Sequence, residues 1–501
     1  MKNKSRIYLF LLIFTLFLTG CKGNDDKTSS NFKPSTLIEK DANGTVEGDL
    51  NKYKIDIKID EKEKSFTGKQ KTLFKNNTGV ALGEIYFRLY PNAFKRFEDS
   101  PILFSQSPYT KKTFKEGFIE MKKLSLKGED LKYTIEGEDK TLLKIKLERP
   151  LMEGQQIEID MEYFVKLPTS QDRFGYGKNT MNFGNWYPVL SVYDEDGWSK
   201  DPYYSVGDPF YTDASNYDVN ITVDKDIIVA SSGNILEEKI IGKEKIYKIE
   251  GRFIRDFAFA ASSDFKIREE MVDDTLVKLY YLDNNKTMIE ESLKYSVDSI
   301  KAFNKSFGKY PYGVYSVVLT EFPSGMEYPS IVFINERYFT KDAKTILEQT
   351  IVHETAHQWW YGLVGNDQVK EAWLDEGLTS YSEVIYMDKI YGEKEGDLYF
   401  ENGFEMNYDI IEEYLRGEDT QVNKSIEEFE DWDDYGILVY TKAAVFLRDI
   451  EDRYGKDTLL KILSTYFKEY KYKNATTEGF LEICEKVTKE SFKGLEEEWL
   501  K

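Results

Sequence analysis

His353 and His357 are the only two histidines in the 501-residue chain, and Glu354 follows the first. The segment reads His353-Glu354-Thr355-Ala356-His357, an HExxH spacing. On an α-helix, positions i and i+4 share a face one turn apart, so both imidazoles can reach one metal ion. Glu354 sits about 100° round the helix from His353. From there it can flank the ion without ligating it and hold an activated water. Zinc suits such a site, with imidazole and carboxylate ligands, no redox requirement and one open position. The bland alternative is a pair of surface histidines on a solvated helix.

A catalytic zinc needs a third ligand, and no histidine remains to supply it. Downstream, Trp373-Leu374-Asp375-Glu376-Gly377 opens a second helical pattern, with Glu376 nineteen positions after His357. A carboxylate at a helix start could simply answer the helix dipole, but the interval resembles that of gluzincins, the thermolysin-like enzymes. Thr379 and Glu383 stand three and seven positions after Glu376 on the same helix face. Either could accept the outer N–H of a ligating histidine and fix its tautomer.

The elements that must hold these residues divide the chain in two. From about 49 to 266 apolar residues alternate with polar ones: Tyr53, Ile55, Ile57, Ile59; Leu143, Ile145, Leu147; Ile157, Ile159, Met161, Tyr163; Tyr217, Val219, Ile221, Val223. Period two over many short runs predicts an antiparallel β-sandwich or saddle. After about 267 the period lengthens. A helix is expected from about Met288 to Phe307, and strands through Val317-Leu319 and Ile331-Ile334. A second helix should start near Thr340, with Thr340 as N-cap and Asp342 in its first turn, and run through both histidines. No internal repeat is visible. The prediction is a multidomain α and β protein, with the β-rich domain at 49–266 and an α+β catalytic domain at 267–501.

The N-terminus reads as an export signal. Lys2, Lys4 and Arg6 precede the apolar run Ile7–Leu18, too short for a spanning helix. Leu18-Thr19-Gly20-Cys21 resembles a bacterial lipobox, which implies a signal peptide over 1–20 and lipidation of Cys21. An uncleaved membrane anchor is the alternative. Polar residues from 21 to 48 then form a flexible tether. Such a protein is exported and membrane-anchored, at the cell surface or the periplasmic face. The remaining cysteine, Cys484, fits a small core residue. Asp and Glu outnumber Lys and Arg by 89 to 68, which argues against nucleic acid as a partner.

Together the motifs resemble the aminopeptidase N family of zinc metallopeptidases. HExxH, the interval and Trp-Leu-Asp-Glu-Gly match its pattern closely, with Asp375 where members carry Asn. Ser324-Gly325-Met326-Glu327-Tyr328 is similar to the family's Gly-x-Met-Glu-Asn motif, departing at Ser324 and Tyr328. Tyr440-Thr441-Lys442-Ala443 stands where members hold a catalytic tyrosine, with Tyr435 five residues earlier. Phe307-Gly308-Lys309-Tyr310-Pro311-Tyr312 resembles a further landmark. The likeness is strong over 307–447 and weaker in the β half.

The resemblance implies a β-saddle domain joined to a thermolysin-like domain, one zinc ion, and peptide substrates. It assigns His353, His357 and Glu376 to the metal, and Glu354 and Tyr440 to catalysis. Gly325, Met326 and Glu327 would bind substrate, with Glu327 on the free α-ammonium. A second amine-binding residue should come from the β-domain, with Gln171, Asn179 and Asn182 as candidates. Two other readings stay open: a thermolysin-like endopeptidase, and a non-catalytic peptide-binding lipoprotein.

Overall fold

A computed structural model describes residues 37–38, 42–98, 100–101, 110–408 and 420–501. The signal-like run and Cys21 lie outside these. The β half is built on an eight-stranded sheet. Its strand order is Asn234–Ile241, Glu244–Ile254, Ser215–Asp224, Asn51–Asp60, Ser65–Lys75, Gln156–Lys166, Phe118–Leu126, Glu129–Asp130. Alternation decides which face is buried: Tyr53, Ile55, Ile57 and Ile59 point into the core while their neighbours face solvent. One pairing departs from the antiparallel expectation. Asn51–Asp60 runs parallel to Ser215–Asp224, because these strands are joined through the rest of the domain and not by a hairpin.

Two four-stranded sheets and the two-stranded ribbon Tyr193–Asp194/Gly197–Trp198 complete this half among the described residues. One contains the hairpin Phe174–Tyr176 and Met181–Phe183. Its face is closed by aromatic packing, with Phe183 stacked on Phe259 at 4.0 Å and Trp186 edge-on to Phe259 at 5.4 Å.

The second half opens with a five-stranded sheet in the order Lys266–Val272, Thr275–Tyr281, Val314–Thr320, Ile331–Asn335, Gly325–Met326. Its three inner strands are parallel and buried throughout at Val314–Thr320 and Ile331–Asn335. The short Gly325–Met326 strand pairs antiparallel and only with Ile331–Asn335, which leaves it as an edge. α1 (Lys286–Ser306) connects the strands Thr275–Tyr281 and Val314–Thr320, and α2 (Lys344–Ala356) and α3 (Trp373–Tyr391) follow the sheet. The Asn285 side chain caps α1 by accepting from Met288 N–H. α2 begins at Lys344 and not near Thr340; the Thr340 hydroxyl is spent one turn earlier, accepting from Ala343 N–H at 3.3 Å. His353 lies within α2 and His357 is its C-cap residue.

The β and catalytic parts form one compact unit. Leu37 bridges to Tyr312, Ile38 N–H donates to the Pro311 carbonyl, and Asn43 donates to the carbonyls of Glu469 and Lys471. Thus, at these residues, the segment read as tether docks on the catalytic part. Arg255 ties the two parts from the other side. It is buried and donates to the carbonyls of Thr212 and Lys473 and to Asn474 Oδ1. Gly365 packs flat against that guanidinium, where a Cβ would overlap it. Gly365→Ala should therefore cost about 1–3 kcal/mol through overpacking of a locked side chain, seen as a lower urea midpoint. An unchanged midpoint would show that Arg255 can move aside.

Candidate metal and catalytic site

α2 and α3 cross so that the expected ligands converge. His353 Nε2 and His357 Nε2 stand 3.1 Å apart, and Glu376 Oε2 lies 3.2 Å from each. Two ring nitrogens facing each other at that distance cannot both donate. A shared cation satisfies all three atoms, so the donor set fits one zinc ion. Electrostatics agree. Burial opposes charge on His353, yet the Glu376 and Glu383 carboxylates raise its pKa to about 10. Burial likewise opposes charge on His357, and Asp375 and Glu376 outweigh it. Glu376 is buried, but His357 and His353 hold it well below the usual carboxylate range. The cluster is a sink for positive charge.

The outer nitrogens are held as well. His353 Nδ1 lies 2.6 Å from Glu383 Oε1, and Tyr399 donates its hydroxyl to the other Glu383 oxygen. His357 Nδ1 lies 2.6 Å from Asp375 Oδ1 and 3.1 Å from Thr379 Oγ1. Gln368 donates to the second Asp375 oxygen. Each Nδ1–H pointing at a carboxylate leaves the Nε2 lone pair free for a metal. Asp375 is a partner the sequence reading missed. Its signal was present, since it directly precedes Glu376 at the start of α3 and burial there demands a partner.

Glu354 and Glu327 form the rest of the wall. With His357 they place ligand-type atoms within 4.8 Å of one another. Burial raises the Glu354 carboxyl to about 7, and the two imidazoles oppose the rise. Gly325 lies directly on that carboxylate, where any Cβ would overlap it. Burial also pushes Glu327 up, helped by Asp208. One oxygen of each, Glu354 Oε2 and Glu327 Oε1, is buried without a hydrogen-bond partner among the described residues. Tyr440 donates to Glu376 Oε1 at 2.6 Å and stacks on His353 at 5.8 Å. It lies in a π-helical turn, Gly436–Lys442, a wound segment of the kind found at functional sites.

These residues line a cavity of about 470 Å³ that also takes in Ser324, Met326, Tyr338, Ile346 and Phe404. That volume is in the range of small-ligand sites. From the β-domain come Arg173 and Asp208, a buried ion pair, and none of the three candidates for a second amine-binding residue. Gln171 and the Asn179 N–H turn to Glu321, and Asn182 donates to the Asp172 carbonyl. Asp208, Glu327 and Glu376 place carboxylate oxygens within 4.8 Å of one another. Nothing in the local sequence around Asp208 announces this, because its role depends on packing between the two halves. Tyr328 is also absent from the cavity lining. It is buried, with its hydroxyl against Gly184 and 3.4 Å from Asn185 Oδ1, and its ring edge-on to Phe333.

Residues 291–499 match the Peptidase family M1 domain. Leucine aminopeptidase 2 of Neurospora crassa is 28% identical over 280 residues, covering 53% of this chain and 40% of its own length. Aminopeptidase B of Mus musculus is 30% identical over 189 residues, covering 36% of this chain and 28% of its own. The chain thus spans less than half the length of these relatives. Its fold is like that of the M1 zinc metallopeptidase from Deinococcus radiodurans, with a TM-score of 0.65 at 15% identity over 90% of this chain and 94% of that one. A mutant of that enzyme bound to a Tyr-Ser-Ala substrate gives 0.63.

Proposed function

We propose that this protein, whose residues 291–499 match the Peptidase family M1 domain, is a zinc-dependent aminopeptidase that removes residues from the free N-terminus of peptides. The observation that carries the reading is Glu327: a buried carboxylate with an unpartnered oxygen, in the cavity wall beside Glu354 and His357. A buried anion without a partner is costly, and an α-ammonium supplies the missing charge. Asp208 adds a second carboxylate for the same amine. The names of the relatives, leucine aminopeptidase and aminopeptidase B, point the same way.

His353, His357 and Glu376 would hold the zinc ion. When bound, the ion supplies Lewis-acid polarisation of the scissile carbonyl and of the attacking water. Glu354 accepts the water proton and delivers it to the leaving amine; burial tunes its carboxyl toward the pH of the reaction. Tyr440 donates its hydroxyl to the oxyanion as it forms, so it acts in the transition state more than in binding. The exposed side of Gly325–Met326 offers backbone groups to an extended peptide. Glu327 fixes the amine end, which sets the first peptide bond over the reacting groups.

The endopeptidase reading needs a channel continuing past Glu327. On that side the cavity wall is the buried Arg173–Asp208 pair, which favours exopeptidase cleavage. The non-catalytic reading leaves the placement of Glu354 and Tyr440 unexplained. The test is one peptide in free-amine and N-acetylated forms, with and without chelator. Cleavage of the free form alone, lost with chelator, is expected; equal cleavage of both would sink the reading.

The lipobox-like Leu18-Thr19-Gly20-Cys21 supports an exported lipoprotein held to a membrane through Cys21. Among the described residues no helix is long and apolar enough to cross a membrane. Cys21→Ala should move the protein from the membrane fraction to the soluble fraction; continued membrane retention would argue for another anchor.

A further inference from the structure

Among the described residues, the Gly325–Met326 strand that leads directly into the amine-binding carboxylate of Glu327 has a sheet neighbour on one side only. Both of its ends are tied instead to the β-domain. Four residues before Gly325, the Glu321 carboxylate receives three successive backbone N–H groups, from Lys178, Asn179 and Thr180, at 3.0, 2.8 and 3.1 Å. Gln171 Nε2 adds a fourth donor at 3.3 Å. This is an anion nest built by backbone amides, at the tip of the Phe174–Phe183 hairpin. Gly177 leaves room for it, since a Cβ there would overlap the Glu321 carboxylate. Beyond Glu327, Tyr328 enters the socket at Gly184 and Asn185, and Asn185 is itself held by Asp256 at 2.8 Å. Between the two, Arg173 Nε reaches Met326 Sδ at 3.1 Å.

We propose that Glu321 is a positioning residue: by docking in the backbone nest of the β-domain hairpin it sets the register of the Gly325–Met326 strand and so places Glu327, the next residue, against the substrate amine. The proposal rests on the aminopeptidase reading. A charge pair formed in a buried wall depends steeply on separation, and a shift of about 1 Å can cost up to about 100-fold in productive binding. The nest also explains why Gln171, a candidate for the amine, is committed to Glu321 instead.

The test compares the wild type with Glu321→Gln, Glu327→Gln and the double variant on a free-amine peptide. The amide of Glu321→Gln turns N–H groups toward the N–H groups of the nest and should undock it. The expected result is a KM raised about 10- to 100-fold, kcat nearly unchanged and zinc content unchanged. The double variant should lose no more than Glu327→Gln alone, because both act through one contact. Gly177→Ala displaces the same carboxylate from the hairpin side, and should reproduce the KM effect if Glu321→Gln folds poorly. Wild-type kinetics in Glu321→Gln, a loss carried by kcat, or full additivity with Glu327→Gln would overturn the proposal. A wild type that cleaves free and N-acetylated peptides equally would instead bring down the aminopeptidase reading beneath it.

Discussion

Glu354→Gln should lower kcat by about 10²- to 10⁴-fold while the protein keeps one zinc per chain. The substitution is isosteric, and it removes only the ability to take and return a proton. Glu354 Oε2 has no hydrogen-bond partner among the described residues, so the amide breaks nothing there. The three ligand-type atoms of His353, His357 and Glu376 stand together without it. KM should move little, since in the proposed function Glu327 and not Glu354 meets the amine. Metal analysis alongside steady-state kinetics separates this from a binding defect. A variant with near wild-type kcat would mean that another group moves the proton, and no further histidine exists to do so.

His353→Ala and His357→Ala should each abolish both zinc retention and activity, yet they should differ in stability. Removing either leaves two protein ligands, too few for a catalytic zinc. What the loss leaves behind is unequal. Glu383, the partner of His353, is partly exposed and still receives the Tyr399 hydroxyl. Asp375, the partner of His357, is almost fully buried and keeps only Gln368 and its surroundings. A buried carboxylate stripped of one donor costs about 1–3 kcal/mol. In chelated protein, His357→Ala should therefore melt below His353→Ala. A His353→Ala variant that retains its metal would overturn the ligand assignment; equal melting of the two would overturn the role of Asp375.

The site was legible in the sequence where chemistry is local. His353 and His357 follow from helix periodicity and Glu376 from an interval that resembles that of gluzincins, and the structure brings ligand-type atoms of all three within 4.8 Å of one another. Glu383 and Thr379 follow from the same periodicity on α3. The alternation at Tyr53–Ile59 and Tyr217–Val223 marked real strands. Pairing order was not legible, because a parallel partner more than 150 residues away leaves no trace in a short window. The same limit hid Asp208 and the socket of Tyr328: each is defined by what the other half of the chain presents. Family likeness pointed to Gln171, Asn179 and Asn182, whereas packing committed Gln171 and the Asn179 backbone to Glu321. The start of α2 moved because Thr340 caps the turn before the helix.

Having both of its histidines in the site turns the chain into its own spectroscopic reporter. In a sample grown with ¹⁵N-labelled histidine and carrying no affinity tag, every imidazole signal comes from His353 or His357. Their Nδ1 atoms face carboxylate oxygens at 2.6 Å, so two ring N–H protons should appear far downfield and exchange slowly. The Nε2 resonances should move on addition of metal while the Nδ1 protons stay. Metal loading, tautomer and inhibitor contact can then be followed atom by atom in a chain of this size, with no other imidazole to subtract.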